Sequence, residues 1–112
     1  MRRVLFAIAG CALMAVSGMR AQEANSEKGK QLFMKNGCYE CHGTVGQGGT
    51  GPRLAPRPLA AAALTAYVRK PAGGMPPYSV KVLPDSDVAD IRAYLATIPE
   101  PPAAKGITLL NQ

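Results

Sequence analysis

Gly37-Cys38-Tyr39-Glu40-Cys41-His42 governs the reading of every other part of this 112-residue chain. Two thiols spaced by two residues and followed at once by an imidazole form the C-x-x-C-H pattern of covalent haem attachment. On one tight helical turn the two sulfurs fall along one edge of the macrocycle, where each adds across a vinyl group, and the next residue turns its imidazole toward the iron. Cys38 and Cys41 are therefore read as the attachment points and His42 as the proximal iron ligand. The competing chemistries of a Cys pair fit less well. A structural zinc site usually has four ligands, and beyond the N-terminal stretch the soft ligands are Cys38, Cys41 and His42. A thioredoxin-like dithiol calls for a βαβ pattern around the motif, and no alternating strand pattern precedes Cys38.

The N-terminal stretch has the build of an export signal. Arg2 and Arg3 are followed by an apolar run from Val4 to Val16, and Ser17 to Ala21 supplies small residues for cleavage. That run is too short to span a bilayer. Residues 1–21 are taken as a cleavable signal peptide, with cleavage after Ala21 preferred over Ala24, and the protein is expected in the periplasm without a stable membrane span. A minor alternative is lipoprotein anchoring through Cys11, because Ile8-Ala9-Gly10-Cys11 resembles a lipoprotein cleavage box, although the apolar run continues past Cys11. Arg2-Arg3 is too incomplete for twin-arginine export. Haem attachment to an unfolded chain fits the Sec route better.

Charge and size narrow the function further. The formal charge is +6, but without Arg2, Arg3 and Arg20 ten Lys and Arg face seven Asp and Glu, a balance of +3. This is too mild and too dispersed for nucleic acid, which needs a clustered basic face, yet it can steer docking onto an acidic partner. Lys35, Arg53, Arg57, Arg69, Lys70 and Lys81 are scattered, and each is read as a solvated surface charge. Removing 21 of 112 residues leaves 91, with Phe33 as the single Phe, four Tyr and no Trp. So short a chain with so few aromatics gains stability from a bound apolar cofactor.

Three helices follow from pattern and punctuation. Asn25 to Asn36 has Asn25 or Ser26 as N-cap, Gly37 as terminator, and Gly29, Leu32 and Phe33 as its buried members. Leu59 to Lys70 is opened by Pro58 and closed before Pro71, and Leu64 and Val68, four apart, are placed to line the haem pocket. Asp85 to Ile98 follows Pro84 and stops at Pro99, with Val88, Ile91, Leu95 and Ile98 in helical spacing. Leu95 is assigned to the haem pocket. The domain is set at residues 22–100, followed by an extended tail, 101–112, whose Ile107-Thr108-Leu109-Leu110 either folds back or docks on a partner. One C-x-x-C-H in the sequence implies one haem.

Together with the Gly-rich loop from Gly43 to Gly51 and the following Pro52-Arg53-Leu54, the attachment motif makes the chain resemble the class I cytochrome c family over essentially all of its expected mature length. The resemblance implies an all-α, small cytochrome c fold, with three or more helices wrapped around one covalently bound haem c. It implies that the Pro52 carbonyl accepts from the second ring nitrogen of His42 and that Leu54 packs on the haem face. Gly29, Phe33, Ile91 and Tyr94 match the glycine, aromatic and aliphatic positions at which the family's first and last helices cross. Tyr67 resembles a family tyrosine that donates a hydrogen bond near the ligand sulfur.

For the sixth iron ligand the thioethers available are Met34 and Met75. Met34 lies on the helix leading into the attachment site and is badly placed to cross the haem. Met75, 33 residues after His42 in Pro71-Ala72-Gly73-Gly74-Met75-Pro76-Pro77-Tyr78, matches the family's ligand Met in order and surroundings. His/Met ligation favours Fe(II) and raises the reduction potential. With both axial positions filled, the implied function is outer-sphere electron transfer without catalytic residues. The protein would be a mobile carrier or the electron-accepting subunit of a periplasmic dehydrogenase, with redox proteins as partners: a dehydrogenase donor and an oxidase or cytochrome acceptor. The alternative is a haem sensor or peroxidase-like enzyme with a displaceable sixth ligand.

Overall fold

In the computed structural model the described residues are 23–112, so the expected signal peptide and Cys11 lie outside them. Four α-helices follow one another: α1 (Ser26–Lys35), α2 (Cys38–His42), α3 (Ala61–Arg69) and α4 (Asp85–Thr97). No strand occurs among the described residues, so the expected all-α class holds, and no helix there is long and apolar enough to cross a membrane.

The Asn25 side chain accepts from the Lys28 amide at 2.9 Å and so is the N-cap of α1. Gly37, at φ 75°, stops the helix in a left-handed conformation that costs glycine little. α1 crosses α4, with Gly29 against the Asp90–Ile91 backbone; a methyl group at Gly29 would overlap the Asp90 carbonyl and lie 2.9 Å from the Ile91 nitrogen. Beside this close approach the Phe33 and Tyr94 rings meet at 5.7 Å, tilted by 57°. The expected crossing residues thus meet. Leu32 is half-buried, packing at the margin of the core.

α3 begins at Ala61, two residues later than expected. The Leu59 carbonyl is taken by Arg92 Nε at 2.8 Å, and Ala60 is extended, at ψ 148°, before its own carbonyl accepts from Leu64. The tail differs from the extended form expected of it. After Pro102 nothing prevents local closure, and Ala104–Gly106 and Thr108–Leu110 form 3₁₀ turns, tied by Asn111 Nδ2 to the Ala104 and Ile107 carbonyls. Its residues are all exposed.

The crossing is pinned by a carboxylate. Asp90 accepts from the Asn25 amide at 2.7 Å and from Lys28 Nζ at 3.0 Å, while Lys28 also pairs with Asp87 at 2.6 Å. A negative group at the N-terminus of α1 also suits the helix dipole. Burial disfavours the Asp90 charge, but the Asn25 amide and Lys28 together outweigh it and hold the carboxyl below its ordinary value. A carboxyl so depressed stabilises the fold at pH above its unfolded value, and loses that effect as pH falls through its folded pKa. In urea unfolding at neutral pH, Asp90→Asn is expected to be less stable than the parent, the gap closing as pH is lowered below about 4. Gly29→Ala is expected to cost about 1–3 kcal/mol in the same measurement.

Candidate functional site

α2 carries Cys38, Cys41 and His42 on little more than one helical turn. The following loop folds back over it through its own backbone: Gly48 N donates to the His42 carbonyl and Gly51 N to the Cys41 carbonyl, both at 2.8 Å, and the Gly46 carbonyl accepts from Leu54 and Ala55. This path brings the Pro52 carbonyl to 2.7 Å from His42 Nδ1. A carbonyl only accepts, so the proton sits on Nδ1 and Nε2 keeps its lone pair for a metal.

Gly51 leaves room for the ring; a methyl group on it would stand 2.8 Å from His42 Cε1 and 2.9 Å from Nδ1. His42 is buried, 7 % exposed, whereas Cys41 is exposed and Cys38 half-buried. Cys38 and Cys41 form no disulfide. Among the described residues no group of three or more His, Cys, Asp and Glu is arranged to hold a metal ion. Two unpaired thiols, an imidazole oriented through Nδ1 and a glycine cradle fit a haem bound through both sulfurs and one axial nitrogen.

The apolar residues assigned to the pocket are gathered in one place. Leu64, Val68 and Leu95 belong to the buried core, and Leu54, Cys38 and Met75 pack against it. Pro52 is exposed, and Tyr67 stands on α3 at 41 % exposure. Met34, the other thioether, is 37 % exposed on α1.

The profile of the family described as "Cytochrome C oxidase, cbb3-type, subunit III" matches residues 24–95, which include every helix up to the last turn of α4. The chain belongs to this family. It is a class I c-type cytochrome, and its cofactor is a covalently bound haem c. No curated protein and no solved structure matches it.

The cytochrome also contains site residues that sequence reasoning passed over. Tyr78 Oη donates to the Asn36 carbonyl at 2.6 Å, directly before the attachment turn, and burial raises its phenol above the ordinary value. Arg69, read as a solvated charge, is 23 % exposed at its side chain; it donates to the Tyr78 carbonyl at 3.1 Å and pairs with Asp85. The signal available was a tyrosine held behind Pro76-Pro77, since a half-buried phenol needs a partner. Arg57, by contrast, pairs with Glu100 on the open surface.

Because Gly51 borders the proximal ring, Gly51→Ala is expected to push His42 off the Pro52 carbonyl. Denaturant unfolding of the haem-loaded protein should show a loss of about 1–3 kcal/mol, with a higher reduction potential because the weakened imidazole donor stabilises Fe(III) less. Unchanged stability and potential would mean that the ring has slack.

Proposed function

We propose that this cytochrome is a periplasmic single-haem electron carrier, or the electron-accepting subunit of a periplasmic dehydrogenase, with His42 and Met75 as the two axial iron ligands. The observation that supports the ligand reading is that Met75 is partly buried against the apolar core to which Leu64, Val68 and Leu95 belong, while His42, tied through Nδ1 to the Pro52 carbonyl, keeps Nε2 free. When bound, the haem supplies a one-electron Fe(III)/Fe(II) couple. The chain's own residues set its surroundings. Pro52 orients the imidazole and strengthens it as a donor, Leu54, Leu64, Val68 and Leu95 exclude water, and a thioether from Met75 favours the reduced state. Tyr67 is assigned as a donor near that sulfur.

An electron carrier needs no open coordination position and no acid–base pair, and the reading assigns neither to this chain. Its partners are proposed to be redox proteins, a dehydrogenase as donor and an oxidase or another cytochrome as acceptor, and the matching family's description as an oxidase subunit accords with the latter. The basic start, apolar run and small residues of the first 21 positions support export.

The test is Met75→Ala in the haem-loaded protein. The parent's ferric form should show the weak long-wavelength charge-transfer band of sulfur-ligated haem, and its ferrous form should bind CO poorly. The variant should lose the band, bind CO readily, and show a lower potential. A parent that lacks the band and binds CO as readily as the variant would instead favour a sensor or peroxidase-like role.

A further inference from the structure

Met75 sits in a loop whose two sides are built differently. On its N-terminal side Gly73, at φ 66°, and Gly74 have open space around them, with no atom within 4 Å of where a side chain would begin. On its C-terminal side Pro76 and Pro77 fix two successive φ angles and lead directly into Tyr78. The two prolines narrow the positions Met75 can take relative to Tyr78, whereas Gly73 and Gly74 are free to give.

Tyr78 is tied to three elements. Its amide donates to the Val68 carbonyl of α3 at 2.8 Å, closing the loop, and its carbonyl accepts from Arg69 Nη1 at 3.1 Å. The other end of the same guanidinium pairs with Asp85, the first residue of α4. Its phenol reaches across to the Asn36 carbonyl at 2.6 Å, the C-cap of α1, two residues before Cys38.

We propose that Tyr78, with Arg69 behind it, is a positioning residue that braces the Met75 loop against the turn bearing Cys38 and so keeps the methionine on the iron. This rests on the reading of Met75 as the axial thioether. Without the phenol hydroxyl, the stiff side of the loop is no longer anchored to the attachment turn, and the loop opens more often at Gly73-Gly74. The iron position that Met75 vacates is then free to take an added ligand.

Imidazole binding to the ferric haem-loaded protein measures that opening, because the apparent affinity scales with the open fraction. Tyr78→Phe keeps the ring and removes one hydrogen bond, and is expected to raise imidazole affinity about fivefold and weaken the charge-transfer band. Arg69→Gln should act in the same direction, with Arg69→Lys partly restoring the parent. Tyr94→Phe provides the comparison: this buried phenol donates to the Thr44 carbonyl at 2.9 Å, a bond that does not involve the Met75 loop. It should lose stability yet bind imidazole as the parent does. Equal effects in Tyr78→Phe and Tyr94→Phe, or none in Tyr78→Phe, would overturn the brace while leaving Met75 as ligand. Parent and Met75→Ala binding imidazole alike would overturn the ligand reading and the brace with it.

Discussion

The hydrogen bond from His42 Nδ1 to the Pro52 carbonyl is the constraint around which the site is arranged. It sets the tautomer and aims the ring, and it exists only because the Gly43–Leu54 stretch returns over α2. That return is built from backbone bonds onto the Cys41 and His42 carbonyls, so the loop closes on the two residues it must position. Glycine at position 51 is needed for closeness, since any side chain would meet the imidazole. Sequence order and the aim of the imidazole are thereby coupled within fifteen residues or so of chain, roughly four turns' worth of residues if it were helical.

The remainder of the fold builds the core against which Met75, the proposed second ligand, is packed. α1 and α4 cross through Gly29, Phe33, Ile91 and Tyr94, and the Asp90 carboxylate fastens the start of α1 to α4. α3 contributes Leu64 and Val68 to the same core and ends at the loop that holds Met75. Tyr78 and Arg69 link that loop to both α4 and the attachment turn. Electron transfer without bond-making asks for little rearrangement between two charge states, and a small core stitched at both ends in this way meets that demand.

Much of this was legible in the sequence, for identifiable reasons. C-x-x-C-H has few physical meanings, glycine and proline punctuated the helices, and the 3.6-residue spacing of Val88, Ile91 and Leu95 marked the face of α4 that is buried. Asp90 escaped notice because its burial depends on a partner 65 residues away, which no local pattern records. Arg69 and Tyr78 escaped for the same reason: a cation between Val68 and Lys70 has the look of ordinary surface until its carbonyl acceptor is known. The start of α3 was misjudged because Arg92, from another helix, claims the carbonyl of Leu59. Local propensity sets what a segment prefers, and tertiary hydrogen bonds decide where it begins.

The most direct test of the account is the mass of the protein, expressed with a haem-attachment system, measured under denaturing conditions. The account predicts the processed chain plus one haem that acid and organic solvent do not remove, with the added mass lost when Cys38 and Cys41 are both replaced by alanine. A bare chain, or a haem that leaves on denaturation of the parent, would contradict it.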